Sequence, residues 1–224
     1  AVLTTATDAL DIPALDTLGW TYAGDGAGVT RALIDGAPVL VERTEPWPLP
    51  PMPANVSEAA EAPVARIVVT DHVAAPPSDL PTVVLHPGSL VVGMGCNKGT
   101  DVEQLRQLLE DTLDAHGLAL DSVTAITTVD LKAGEPGLLK LVHQLGVPLV
   151  DHPADELRDL DVPTPSAQVE GHVGTPSVAE ASVVRQGATI VVPKQRSTDA
   201  TCAVGRLPAR GKLTVVGLGP GSRD

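Results

Sequence analysis

Leu90-Val-Val-Gly-Met-Gly-Cys-Asn-Lys-Gly-Thr-Asp-Val-Glu-Gln-Leu-Arg-Gln-Leu-Leu-Glu-Asp-Thr-Leu113 runs from an apolar segment through a glycine loop into a helical repeat. Residues 90–93 read as a strand entering the loop. Thr100 starts a helix, with Glu103 three residues on as its capping-box partner. Val102, Leu105, Leu108, Leu109 and Leu113 recur at helical spacing and mark the buried face. Gly117 stops the helix. Strand, glycine turn and amphipathic helix, in that order, are the unit from which open α/β sheets are assembled.

The pattern continues on both sides. Upstream, residues 66–70 and 82–85 are short Val/Ile/Leu strands around a polar loop. Downstream, residues 123–129 form a strand, and Pro136 opens a helix at its first turn that Gly146 closes. Residues 147–150 read as a strand and 155–160 as a short helix. Thr175-Pro176 starts a helix reaching Gln186, with Gly187 as its stop. Residues 188–192 and 201–204 read as an antiparallel pair. These elements predict a three-layer αβα domain with a mixed sheet over residues 66–207. A partial small α/β segment precedes it at 1–43, with Asp8 capping a helix to Leu18, a helix at 29–34 and a strand at 38–42. Between them, Glu45-Pro-Trp-Pro-Leu-Pro-Pro-Met-Pro opens a Pro/Ala-rich linker or strap at 44–65. Residues 208–224 restart the rhythm with a linker and one strand and glycine turn. The chain thus reads as cut within a domain at each end.

Composition narrows the function. The 224 residues are 43% hydrophobic, enough for one or two ordinary cores. Fifteen Lys and Arg against 28 Asp and Glu give a net charge of −13, which excludes a phosphate-neutralising nucleic-acid face. One Tyr, two Trp and no Phe exclude a base-stacking platform. Two cysteines make neither a Cys-rich zinc site nor a disulfide framework, and no protein metal site is expected. No apolar run approaches a membrane span, and Ala-Val-Leu-Thr-Thr does not open a secretory signal. The expected setting is reducing and cytoplasmic.

Polar residues concentrate where strands end, the usual ligand crevice of an open sheet. Of five lysines, Lys98, Lys132 and Lys194 fall in such loops, and Arg196 joins them. An acidic chain that keeps cations in its crevice suits a polyanionic small ligand. Lysine is a point-charge partner, while arginine grips a carboxylate through two parallel bonds. The alternatives are plain. Gly93, Gly95 and Gly99 also fit an ordinary tight turn, and a dinucleotide site lacks its acidic partner further on. His72, His86, His116, His143 and His152 read as structural or exposed. His172 lies between glycines in a candidate loop. Asp130 and Glu135 fit acid–base work or capping equally well, and Glu180 sits where a helix dipole favours a carboxylate anyway. Cys96 reads as a small loop filler, and Ser177 lacks a nucleophile-elbow setting.

Four stretches together resemble a known family. They are Val92-Gly-Met-Gly-Cys-Asn-Lys-Gly-Thr100, Asp130-Leu-Lys-Ala-Gly-Glu-Pro-Gly-Leu138, His172-Val-Gly-Thr-Pro-Ser-Val-Ala-Glu-Ala181 and Lys194 with Asp199-Ala-Thr201. They resemble the C-terminal domain of the cobalamin-biosynthesis protein G (cobalt-precorrin-5A hydrolase) family, a domain shared with cobalamin-biosynthesis protein E. Thr4-Thr-Ala-Thr-Asp8 and the Trp-Pro-Leu-Pro-Pro strap resemble the end of that family's N-terminal domain and its middle segment. The tail, with Gly217, Gly219, Pro220 and Gly221, is similar to the opening strand and loop of precorrin-3B C17-methyltransferases, where it helps to bind S-adenosylmethionine.

The resemblance implies hydrolysis of a lactone on a corrinoid macrocycle, with ring contraction and release of acetaldehyde. It needs no cofactor for the hydrolase portion, because cobalt arrives inside the substrate. Laid over that chemistry, Lys98, Lys132, Lys194 and Arg196 are expected to clamp substrate carboxylates. Gly95, Asn97, Gly99, Thr100, Thr128, Asp130, Gly174, Thr175 and Ser177 complete the expected binding set, with N–H groups of 95–100 and 174–177 as oxyanion donors. His172, Glu135 or Glu180 is the acid–base group. The expected partners are a polyanionic corrinoid and fused or neighbouring corrin-pathway methyltransferases, with a homodimer allowed. A non-catalytic corrinoid-transfer module and a nucleotide-dependent enzyme are the competing readings.

Overall fold

Ala65-Arg-Ile-Val-Val69 is buried at every position, as a central strand of a parallel sheet requires. In the computed structural model, which describes residues 19–73, 75, 77–164 and 177–209, that strand belongs to the first of two five-stranded mixed sheets. The first sheet contains β1 (Thr21–Gly24), β2 (Val39–Arg43), β3 (Val56–Ser57), β4 (Ala65–Val69) and β5 (Thr82–His86). Its order is β1-β5-β4-β2-β3, with only β1 antiparallel to its neighbour. Helix α1 (Gly26–Ile34) packs Val29 and Leu33 on it. Asp25 caps this helix by accepting from Gly28 N, which is why it begins ahead of the apolar positions that signal it in sequence.

Two expectations are corrected here. The strands expected to open the 66–207 domain pair instead with β2 and β1, so the second sheet begins only at Leu90. A continuous apolar run records burial on both faces but not which sheet it joins. The segment 44–65 is likewise more than a linker. Trp47 is 4% exposed in the first core, Leu49 and Met52 pack against that core, and β3 pairs with β2. The prolines forbid helix without preventing burial.

The second sheet has the order β8-β7-β6-β10-β9. Its strands are β6 (Leu90–Cys96), β7 (Val123–Val129), β8 (Leu149–His152), β9 (Thr189–Arg196) and β10 (Ala200–Arg206). The first three are parallel, and β10 runs antiparallel to both neighbours. Helices α2 (Val102–Ala115) and α3 (Pro136–Leu145) bury Leu105, Leu109, Leu138 and Leu141 against Val92 and Met94 on one face. On the other face lies α5 (Val178–Arg185), and the one-turn α4 (Ala154–Leu157) packs beside it. Side chains alternate along β6, so Gly93 faces α5. A Cβ there would collide with the Ala179 carbonyl oxygen. The expected αβα layering and mixed sheet are present.

Boundary differences have local causes. Asp101, not Thr100, caps α2, accepting from Glu103 N. The Thr100 hydroxyl instead donates to Asn97 O. Val147 N donates to Val142 O, so this residue completes the end of α3 and β8 starts later. Strand β9 runs on through Pro193 because it is an edge strand, where a missing donor costs no ladder bond.

A polar seam joins the two sheets. Arg206, the last residue of β10, donates to both oxygens of the fully buried Asp71 at 2.6 and 2.9 Å and to Glu45 at 3.2 Å. The Ser89 hydroxyl also donates to Asp71, while Asp71 O accepts from Ala119 N. No helix among the described residues is long and apolar enough to cross a membrane.

Candidate functional site

Because β6, β7 and β8 are parallel, their following loops emerge at one edge of the second sheet. The turn from β9 to β10 lies at the same edge, since Ala200 pairs with Cys96. Three loops are tied together there. Asn97 N donates to Asp199 O at 2.8 Å, and Asn97 Nδ2 to Asp199 Oδ1 at 3.0 Å. The Thr100 hydroxyl reaches Asp199 O at 3.3 Å. Gly99 N donates to Glu135 Oε2 at 2.9 Å, and Lys132 Nζ stands 3.9 Å from Glu135 Oε1. The first turn of α3 approaches so closely that a Cβ on Gly137 would strike Thr100 O. Asp130 accepts from Leu131 N and folds the start of its own loop.

The expected binding residues Asn97, Lys98, Gly99, Thr100, Asp130, Lys132 and Arg196 thus share one rim with Glu135. Gly95 sits just below it, its carbonyl accepting from the Thr201 hydroxyl. Lys98 and Arg196 are exposed and form no ion pair among the described residues. Lys132 keeps 23% exposure, and its partner Glu135 keeps 13%.

Other expected residues are committed elsewhere. Thr128 is fully buried and donates to Met94 O, so it braces the sheet. Ser177 caps α5. Glu180 is fully buried and accepts from Thr164 N, the Thr164 hydroxyl and Lys194 N at 3.1, 2.8 and 3.0 Å. A buried carboxylate must be satisfied in this way, and these bonds account for Glu180 as a structural group. Lys194 is drawn into the same cluster, its Nζ donating to Thr164 O. Burial lowers the Lys194 pKa, with Glu180 opposing and Arg196 adding to the fall. Its ammonium is thus engaged with Thr164 O, unlike the exposed rim cations. The expected oxyanion donors also shrink. The N–H groups of Asn97, Gly99 and Thr100 are already bonded within the rim, leaving that of Lys98 as the loop's uncommitted donor among the described residues. His172, Gly174, Thr175, Gly217, Gly219, Pro220 and Gly221 lie outside the described residues.

Cys96 is half-buried at the end of β6. Burial pushes its thiol up to about 11, Glu135 adds to the rise and Lys132 opposes it. Fully buried Cys202 is pushed up to about 12 by burial, with Thr112 lowering it slightly. Neither is a thiolate nucleophile at neutral pH. The folded thiols hold their protons longer than the unfolded ones, whose ordinary value is 9.0. Folding stability is therefore expected to fall as pH rises through the window from 9 to 11. The alanine variants of Cys96 and Cys202 should flatten that slope in urea titrations.

A cleft of about 290 Å³ lies elsewhere, between the Pro-rich strap and β9–β10, with Trp47, Val191 and Pro208 in its walls. It contains none of the expected residues, and its charged groups Glu45 and Arg206 are bonded to each other. Among the described residues no group of three or more His, Cys, Asp or Glu is placed to hold a metal.

The family model for the cobalamin synthesis G C-terminus matches residues 90–205, the second sheet with all its helices. The chain belongs to that family. It is 30% identical over 230 residues to the cobalt-precorrin-5A hydrolase of Priestia megaterium, covering 92% of this chain and 62% of the relative. It is also 30% identical over 198 residues to the enzyme of the same name from Salmonella typhimurium, covering 80% and 55%. The chain thus spans between half and two thirds of these curated relatives. The crystal structure of CobE, a protein from the cobalamin (vitamin B12) biosynthetic pathway, superposes with a TM-score of 0.51 at 34% identity, covering 55% of this chain and 94% of that one. The mixed α/β architecture agrees with that likeness. The sequence places Asp199 in a family-like stretch without assigning it a role, and gives no sign of Asp71; Asp199 holds the Asn97 loop and Asp71 holds Arg206. Short-range patterns carry no trace of either bond, since the partners lie 102 and 135 residues apart.

Proposed function

We propose that this chain is the corrinoid-handling part of a cobalt-precorrin-5A hydrolase. One observation carries the reading: an acidic chain presents Lys98, Lys132 and Arg196 together on one sheet-edge rim that its own hydrogen bonds hold in place. A macrocycle fringed with carboxylates suits such a rim. The names of the Priestia and Salmonella relatives support hydrolysis of cobalt-precorrin-5A, and the family resemblance implies its course, opening of a lactone with loss of the methylated meso carbon as acetaldehyde.

Opening a lactone needs a base for water and donors for the developing oxyanion. Glu135 is the acid–base group that the rim supports best. One of its oxygens is held by Gly99 N–H and the other faces Lys132. Lys98 N–H is the available donor. Cobalt enters as part of the substrate, and the hydrolysis calls for no resident cofactor. A cytoplasmic setting, and a neighbouring or fused methyltransferase using S-adenosylmethionine through residues 217–221, complete the proposal.

The test supplies cobalt-precorrin-5A and follows acetaldehyde through NADH oxidation by alcohol dehydrogenase. Acetaldehyde release that depends on the protein is expected. Tight corrinoid binding without acetaldehyde favours the second reading, a binding or transfer module. That reading draws on CobE, 94% of whose chain is covered by just over half of this one. Thermal protection by NAD(P) but not by corrinoids would overturn both.

A further inference from the structure

Around Lys132 on the rim lies a segment whose residues the fold does not explain. Leu131 is 66% exposed, the most exposed large apolar side chain among the described residues. It precedes Lys132 and stands in a short 3₁₀ turn at the end of β7. Gly134 follows two residues after Lys132. Its φ is not in the left-handed region, and a Cβ there would meet nothing within 4 Å. Neither backbone conformation nor packing asks for glycine at 134, and no core asks for leucine at 131. Both become intelligible if something flat lies against the turn. An apolar side chain would cover its face, and a bare backbone would allow close approach.

We propose that Leu131–Gly134 is an apolar ledge on which the flat face of a macrocycle rests while Lys98, Lys132 and Arg196 meet its peripheral carboxylates. This rests on the corrinoid reading above and adds the contact that tells a ring from any other polyacid. Charge alone would hold an open-chain polycarboxylate equally well. The ledge supplies shape and apolar burial, whose contribution salt does not screen.

The experiment compares the native chain with Leu131→Ser and Gly134→Val. Binding is measured for cobyrinic acid, a corrin with free carboxylates, and for butane-1,2,3,4-tetracarboxylate, an acid without a flat face. Leu131→Ser is expected to lose about tenfold in affinity for cobyrinic acid, the worth of a leucine side chain returned to water, and Gly134→Val a similar factor by holding the ring off the backbone, each equally at low and high salt. Tetracarboxylate binding and the thermal midpoint should stay unchanged. Native-like cobyrinic acid binding by both variants, with the fold intact, overturns the ledge and leaves the cationic rim standing. A lower thermal midpoint accompanied by equal loss for both ligands also overturns it, because the two residues would then be structural. If the native chain itself does not bind cobyrinic acid, the corrinoid reading falls and the ledge with it.

Discussion

Arg206→Ala is expected to cost about 3–5 kcal/mol of folding stability, the range for a buried charge that loses its partner. Asp71 has no exposure, and its two oxygens receive the Arg206 Nε and Nη2 at 2.6 and 2.9 Å. The same guanidinium holds Glu45 at 3.2 Å. Among the described residues, removing it leaves a carboxylate in the seam between the sheets with the Ser89 hydroxyl and the more distant His72 imidazole, at 3.8 Å, for side-chain company. Urea unfolding followed by circular dichroism reads the loss. Arg206→Lys keeps the charge but not the two-pronged geometry, so it should recover only part. Arg206→Met combined with Asp71→Leu removes both charges and should be markedly more stable than Arg206→Ala alone. If Arg206→Ala unfolds within about 1 kcal/mol of the native chain, on the scale of a surface pair, the seam does not hold the sheets together.

The second sheet was legible because its signals are local. Val123–Val129 is a strand as expected, and Pro136 and Gly146 bound α3 as expected, since proline at the first turn and glycine after the last are set by backbone conformation alone. The sheet boundary was not legible. Ala65–Val69, apolar but for Arg66, and Leu90–Gly95 are both buried at every position, and only hydrogen-bond partners tens of residues away decide which sheet each joins. The site divides along the same line. Loops following parallel strands must share an edge, so Asn97–Thr100, Asp130–Glu135 and the β9–β10 turn could be grouped from order alone. The allegiance of a single side chain could not. Lys194 and Glu180 read as site residues because of their type, yet Glu180 lies in the layer between α5 and the sheet, where burial obliges it to collect Thr164 and Lys194. Glu135 is the opposite case. Its side chain makes no cap to α3; it accepts from Gly99 N and faces Lys132 on the rim.

Losing Lys98, Lys132 and Arg196 together is expected to weaken cobyrinic acid binding about a hundredfold at low salt, from about 1 kcal/mol for each exposed charge pair. The three are not equal. Lys98 and Arg196 have no ion pair among the described residues, so their charge is wholly available. Lys132 stands 3.9 Å from Glu135, and its single alanine variant should lose less than the other two. The loss should shrink as salt is raised, because exposed pairs are screened over about 10 Å at 0.1 M ionic strength. Lys194→Met serves as the internal control. Its Nζ is bound to Thr164 O in a half-buried position beside Glu180, so the variant should lower stability while sparing the salt dependence of binding. Isothermal titration across a salt series reads both quantities. If the triple variant binds as the native chain does, or if Lys194→Met alone abolishes the salt dependence, the cations of the rim are not the clamp, and the anion would have to be held where Glu180 and Thr164 now hold Lys194.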